Sequence, residues 1–197
     1  MADWVISVIE GAGYLGIALL MFAENVFPPL PSELIMPFAG FLAARGQLDP
    51  SGVVAAGAIG SVLGALPWYW AGRKLGLERL KALARRHGRW VAITPEEIDR
   101  GRALFERHGA LLLVGGRLVP AVRTIVALPA GLAHLNPGAF LLWTLLGSAI
   151  WSGLLTLAGY LLESQYEKLA DWLNPASTVV FAAIAAWYVV RVVRHPR

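Results

Sequence analysis

Long apolar runs separated by short polar punctuation dominate the chain. Stretches of about 18 or more apolar residues mark candidate membrane spans, and three are clear, at residues 50–72, 138–162 and 176–194. The remaining apolar sequence, 11–44 and 109–134, is interrupted by charge and proline. Pro28, Pro29 and Pro31 break the first piece, and Gly115, Gly116 and Pro120 the second, because a proline lacks an N–H and clashes with the preceding turn of a helix. The apolar arms flanking each break, about 11 to 15 residues long, are too short at 1.5 Å per residue to cross a core of roughly 30 Å. They predict two re-entrant hairpins, since irregular backbone at membrane depth is tolerated only where protein buries it or it lines a wet cavity.

Aligning the chain with itself adds a second level of order. An offset of 87 residues pairs Leu48-Asp49-Pro50 with Leu135-Asn136-Pro137, Gly60-Ser61 with Gly147-Ser148 and Ala71-Gly72 with Ala158-Gly159. Upstream, Ala39-Gly40 pairs with Ala130-Gly131 after a four-residue adjustment, and Pro37 lies near Pro129. Charge then orients the copies. Between Arg73 and His108 lie ten Lys/Arg against five acids, the tail RVVRHPR is basic, and 163–175 is net acidic. The positive-inside rule therefore places 73–108 and the C-terminus in the cytoplasm and 163–175 outside. Span 50–72 then runs inward and 138–162 outward, so the two copies are antiparallel.

The expected architecture is an all-α integral membrane protein occupying 1–197 as one membrane domain. An inverted repeat of re-entrant hairpin plus span would cover 11–72 and 109–162, joined by cytoplasmic amphipathic helices at 73–108 and followed by a C-terminal span at 176–194. Within 73–108, Leu77 to His87 and a second helix starting at the Thr94-Pro95-Glu96-Glu97 capping sequence form a surface-lying pair, the second ending at Gly109. Inverted repeats with broken helices are a transporter architecture, with substrate bound near the midplane where the copies meet.

Composition agrees: the chain is 57% hydrophobic and 15% charged, with mean hydropathy +0.59, whereas soluble domains carry about a quarter charged residues. Cysteine is absent, which removes disulfides and thiolate metal sites. The N-terminal MADWVISVIEGAG has neither a basic n-region nor a small-residue cleavage pattern, so it reads as part of the mature chain. The net charge of +4 resides mostly in the 73–108 cluster, where a topology signal beside anionic lipid accounts for it better than nucleic-acid binding.

Within 11–44 and 109–162 the only Asp, Glu, Lys or Arg residues are Glu24, Glu33, Arg117 and Arg123. The first hairpin is acidic where the second is basic. Four unpaired charges at helix centres would cost on the order of 10–14 kcal/mol, so they must pair or face water. Arginine remains protonated in essentially any protein site. A carboxylate neutralises it at rest, and a phosphate can do so during transport through bidentate hydrogen bonds. A static brace between hairpins is the structural alternative. His134, near the end of the second hairpin, reads as an interfacial hydrogen-bonding residue. The four histidines are scattered, and neither an activated nucleophile nor a metal-ligand spacing is evident, so no metal, cofactor or hydrolytic activity is expected.

AENVFPPLPSE at 23–33, GRLVPAVRT at 116–124 and AGLAHLNPGAF at 130–140 resemble the DedA family of membrane proteins, whose shared region is also called the VTT or SNARE-associated domain. The resemblance covers roughly 11–165. It implies two facing re-entrant hairpins and movement of lipids across the bilayer. Bacterial members include translocases returning undecaprenyl phosphate to the cytoplasmic leaflet, some described as proton-dependent, and eukaryotic relatives scramble phospholipids. The family's functional acids map onto Glu24 and Glu33 and its arginines onto Arg117 and Arg123, with Pro28, Pro29, Pro31 and Pro120 at the hairpin tips. The second acid, often an aspartate after Pro-Gly, is here Glu33 after Pro31-Ser32. The expected function is translocation of a polyprenyl phosphate or related phospholipid in the bacterial plasma membrane. Arg117 and Arg123 would hold the phosphate, Glu24 and Glu33 would compete for the arginines, and proton coupling stays open. A proton-coupled carrier of a small ion or solute is the alternative.

Overall fold

The computed structural model of the chain describes residues 2–26, 32–79, 81–82, 95–119, 122–123 and 126–162. Six helices organise them: α1 (Ala2–Val26), α2 (Ser32–Ala44), α3 (Pro50–Leu75), α4 (Pro95–Arg117), α5 (Ala127–Leu132) and α6 (Pro137–Leu161). There is no strand among the described residues, and the all-α membrane class holds. The C-terminal span expected at 176–194, the proline tips at 28, 29, 31 and 120, and most of the helix expected over 77–87 lie outside the described residues.

Polarity is inverted relative to a soluble domain. Leu15, Leu19, Ile59, Leu63, Leu142, Leu154 and Leu157 are exposed, while Glu24, Asn25, Arg117 and Arg123 are buried. Water would penalise such an exterior, whereas lipid hydrocarbon welcomes it. Among the described residues three helices are long and apolar enough to cross a membrane: Trp4–Val26, Pro50–Leu75 and Pro137–Leu161. The last two match the spans read from the sequence. The first differs from the expected arm beginning near residue 11, because helical structure extends back to Ala2. It is not continuous, however. Gly13 takes φ 55 and ψ −129, a conformation open to glycine and costly for other residues, and divides the helix into two short pieces. The distal piece packs with α2 on Ile17, Leu20, Met21, Ile35, Met36 and Phe38.

A similar interruption modifies α4. Its described residues begin at Pro95, with the capping Thr94 outside them, and it does not stop at Gly109. His108 leaves helical geometry (φ −134, ψ 28) and the helix resumes to Arg117. Gly109 is buried against Leu135, so tertiary packing draws the chain onward where the local signal alone predicts an end. The Lys81–Asp99 ion pair, 2.6 Å, ties the stretch after α3 to the first turns of α4.

The repeat is visible in matching local chemistry. Asp49 caps α3 by accepting hydrogen bonds from the Ser51 and Gly52 N–H groups. Its counterpart Asn136 caps α6 by accepting from Gly138 and Ala139. Each cap satisfies N–H groups that a helix start otherwise leaves unpaired. The spans α3 and α6 run antiparallel: Tyr69 stacks on Phe140 with ring centroids 4.3 Å apart, while Gly57, three turns earlier, lies beside the Ser152 hydroxyl.

The short helices pack on the spans across the two repeats, α2 on α6 and α5 on α3. A side chain on Gly40 (α2) would strike the Thr156 carbonyl of α6, and one on Gly159 (α6) the Pro37 carbonyl of α2. In the other half, Gly131 (α5) faces the Tyr69 carbonyl of α3, and Gly72 (α3) faces that of Leu128 in α5. Tyr69 and Thr156 are themselves an 87-residue pair. Small residues allow close backbone approach, a main source of packing energy between helices in lipid. Gly159→Ala and Gly131→Ala are therefore each expected to lower stability by about 1–3 kcal/mol in thermal unfolding of the detergent-solubilised protein. Gly153→Ala, at a position with open space around it, should leave the midpoint unchanged or slightly raised.

The Ser51 hydroxyl, followed by the Gly52 N–H, holds the Asp49 carboxyl below its ordinary 3.8. A depressed folded value stabilises above the unfolded pKa, and this contribution disappears as pH falls through the folded value. Asn136 shows that an asparagine makes the same cap in the second repeat. Thermal unfolding at neutral pH and near pH 3 should therefore show Asp49→Asn keeping the cap and losing that increment of acid sensitivity. Asp49→Ala should lose the cap at both.

Candidate functional site

Glu24 sits in the last turns of α1 and Arg123 in the turn after α4. The Arg123 backbone N–H donates to the Val119 carbonyl at 3.0 Å, and its Nη2 donates to Glu24 Oε1. The resulting ion pair joins the two repeats and is almost wholly buried, with side-chain exposures of 6% for Arg123 and 2% for Glu24. Asn25 Nδ2 donates to the other Glu24 oxygen at 3.2 Å and to the Met21 carbonyl at 2.9 Å, fixing the carboxylate from the α1 side. The Arg123 guanidinium carbon lies 5.8 Å from the Trp151 ring centroid, within cation–π range.

Indole groups tie the surroundings together. Trp151 Nε1 of α6 donates to Ser32 Oγ at the start of α2, 3.4 Å, and Trp68 Nε1 of α3 donates to the Asn25 carbonyl, 3.0 Å. Each span thus contacts the first hairpin beside the charged pair.

Arg117 occupies the end of α4 and is 3% exposed. Its Nη1 donates to Ser148 Oγ of α6 at 2.9 Å. Its Nε and Nη2, and Nε of Arg123, find no acceptor among the described residues. A buried guanidinium with unpaired N–H groups is costly and is the donor geometry a tetrahedral oxyanion satisfies. Arg123, over the Trp151 ring, and Arg117, on the Ser148 hydroxyl, meet α6 at positions three residues apart, which brings the Glu24–Arg123 pair and Arg117 to one level of that helix.

The structure therefore brings Glu24 and Arg123 into direct contact and places Arg117 nearby. Glu33, in the first turn of α2, is half-buried and joins no ion pair among the described residues. His134 is exposed at a positive φ of 52 in the turn before α6, outside the cluster. Sequence reading missed Asn25, Ser32, Trp68 and Trp151; Ser148 was visible only as half of the repeated Gly-Ser pair. Asn25 and Ser32 carried no signal beyond proximity to the first break point, and Trp68 and Trp151, inside the spans, carried none. Among the described residues no group of His, Asp or Glu has metal-binding geometry. A groove of about 420 Å3 between α3 and α6 is aliphatic, lined by Ile59, Val62, Leu63, Leu141, Leu142 and Leu145, and shares no residue with the charged cluster.

An apolar exterior, helices of membrane-spanning length and a buried charge pair define an integral membrane protein built from two interlocked halves. Residues 30–161 match the family described as VTT domain, and the chain belongs to this family, the DedA family of membrane proteins. It is 37% identical over 191 residues to an alkaline phosphatase-like protein of Lactococcus lactis, spanning 96% of this chain and 89% of that protein. It is 28% identical over 195 residues to undecaprenyl phosphate transporter A of Staphylococcus aureus, spanning 99% and 96%. Against undecaprenyl phosphate transporter A of Bacillus subtilis the identity is 27% over 191 residues, spanning 95% and 92%. No solved structure matches the chain.

Removing one member of a buried ion pair leaves the other uncompensated, at about 3–5 kcal/mol. Glu24→Ala and Arg123→Ala should each destabilise by that order in thermal unfolding. The paired replacement Glu24→Leu with Arg123→Met should recover most of the loss, because it deletes both charges while keeping volume.

Proposed function

We propose that this protein is a membrane transporter for a lipid phosphate, with a polyprenyl phosphate as its substrate. Arg117 and Arg123 take the phosphate while the prenyl chain stays in the bilayer. The observation that carries this reading is the pair of buried guanidinium groups with unmatched N–H donors, one of them held by a carboxylate that an incoming anion can replace. The printed names of the Staphylococcus and Bacillus relatives support the same substrate class.

At rest Glu24 occupies one edge of the Arg123 fork. A phosphate entering between the arginines offers several acceptor oxygens to Arg117 Nε and Nη2 and to Arg123 Nε, and competes with Glu24 for Nη2. Glu24, released from Arg123 as the phosphate enters, returns to it as the phosphate leaves, so carboxylate and substrate alternate on the same guanidinium. Glu33, half-buried and lacking an ion-pair partner among the described residues, is a second carboxylate that an arginine can meet on the way. The two hairpins enter from opposite faces and stop at depth, each second arm resting on the opposite span. Positive-inside charge puts the 73–108 segment in the cytoplasm.

Hydrolysis, suggested by the name of the Lactococcus relative, fits the site less well. Ser148, the hydroxyl bonded to Arg117, lies beside a group that cannot accept its proton.

The test is transfer of a polyprenyl phosphate, labelled in one leaflet of reconstituted vesicles, to the other leaflet, with protein-free vesicles as reference. Wild type should transfer it well above that reference. Arg117→Ala and Arg123→Ala should abolish the excess, and Arg123→Lys, which keeps the charge but loses the fork, should lower it by roughly tenfold or more, the equivalent of one good charged hydrogen bond. Transfer by Arg123→Lys at the wild-type rate would reject bidentate phosphate recognition. Wild-type transfer at the protein-free rate would reject the lipid substrate in favour of a small ion or solute.

A further inference from the structure

The inner face of α6 carries Thr144, Ser148, Ser152 and Thr156, four residues apart and all buried, none more than 3% exposed. Positions spaced by four share one helix face, and at 1.5 Å per residue this row extends about 18 Å, more than half the thickness of a bilayer core. In lipid, a buried hydroxyl without a partner carries a desolvation penalty that no solvent relieves. Yet the Thr144, Ser152 and Thr156 hydroxyls find no hydrogen-bond partner among the described residues. The fourth, Ser148, receives Nη1 of Arg117, whose Nε and Nη2 are themselves without acceptors among those residues.

The row belongs to one repeat only. Its counterparts in α3, 87 residues earlier, are Gly57, Ser61, Ala65 and Tyr69, so only the serine facing the arginine level is common to both. Helix packing does not require all of the hydroxyls: on the corresponding face of α3, Gly57 and Ala65 carry none, and the Tyr69 hydroxyl is matched by the Leu135 carbonyl at 2.6 Å. Moreover, the row passes through the junction of the two halves. Gly147 beside it abuts Val114 and Arg117 of α4, Ser152 lies next to Gly57 of α3, and the Thr156 backbone meets Gly40 of α2.

We propose that this hydroxyl-bearing face of α6 is a hydrophilic track along which an anionic headgroup, with its water, passes to and from Arg117. This rests on the lipid-phosphate reading above and names the path the headgroup takes. Hydroxyls suit a moving anion: they donate hydrogen bonds without the full charge that would trap it, and water takes the anion's place as their partner when it has passed. Arg117 is the fixed positive station within the track, and the hydroxyl steps on either side of Ser148 give the phosphate successive neutral donors.

The chain has no cysteine, so single cysteines report one position each. Thr144→Cys, Ser152→Cys and Thr156→Cys would be reconstituted in vesicles and treated with an anionic, sulfonate-bearing methanethiosulfonate. Leu146→Cys and Leu154→Cys, on the exposed apolar face, are controls. The cysteine thiolate attacks the reagent's sulfenyl sulfur, forming a mixed disulfide and expelling methanesulfinate, and that thiolate forms poorly in a dry apolar site. The three inner positions should react roughly tenfold or more faster than the two controls, and polyprenyl phosphate should slow them. Fast reaction slowed by inorganic phosphate but not by polyprenyl phosphate would support the track and reject the lipid substrate. Inner positions reacting at the control rate, or reacting fast with protection by neither phosphate, would overturn the track and leave the transfer assay to judge the lipid-phosphate function separately.

Discussion

A guanidinium cannot shed its proton in the interior of a membrane, and the whole fold answers to that constraint. Arg123 must be met by a carboxylate or an anion, so Glu24, from the other repeat, has to reach it. Neither helix that supplies these groups crosses the site uninterrupted: α1 ends at Val26 and α4 at Arg117, and the charges lie in or just beyond those ends. A continuous helix would turn its side chains toward lipid every few residues. Here the charged groups gather at the ends of α1 and α4, where Asn25, Ser32, Ser148 and the two indoles stand around them.

The second requirement is that two short arms be held in place without the hydrophobic effect that drives packing in water. Lipid tails are as apolar as leucine, so contact quality decides. The protein meets this with glycines at reciprocal positions: α2 against α6 through Gly40 and Gly159, α5 against α3 through Gly131 and Gly72. Because each arm leans on the span of the other repeat, neither half is complete alone. The ion pair and the glycine contacts cross the same boundary, and a shift of one half relative to the other would strain both.

Much of the outline is legible along the chain. The two long spans appear at nearly their observed limits, because a run of more than twenty apolar residues has few other uses. The repeat is also readable, since Asp49-Pro50 and Asn136-Pro137 are cap signals whose meaning is local, and the glycines recur at fixed spacing. Local signals mislead where tertiary packing overrides them. Gly109 reads as a helix stop, yet the break falls at His108 and the helix continues to Arg117. Gly13 reads as an ordinary small residue, yet it divides α1 through a backbone angle that no sequence pattern announces.

For the site, the sequence by itself determined which charges are inside the membrane and that the two signs lie on different halves, because the cost of burying an ion makes four isolated charges conspicuous in apolar sequence. It could not decide who pairs with whom. Glu24 and Glu33 were equivalent candidates along the chain, and only the packing of α1 against α3 and α2 puts Glu24 on Arg123 while Glu33 remains half-buried. Nor could it find the serine and threonine face of α6, since hydroxyl residues are common in membrane helices and their significance depends on which side is buried. Pairing and burial are properties of distances between residues about a hundred positions apart, and those distances exist only once the helices have packed.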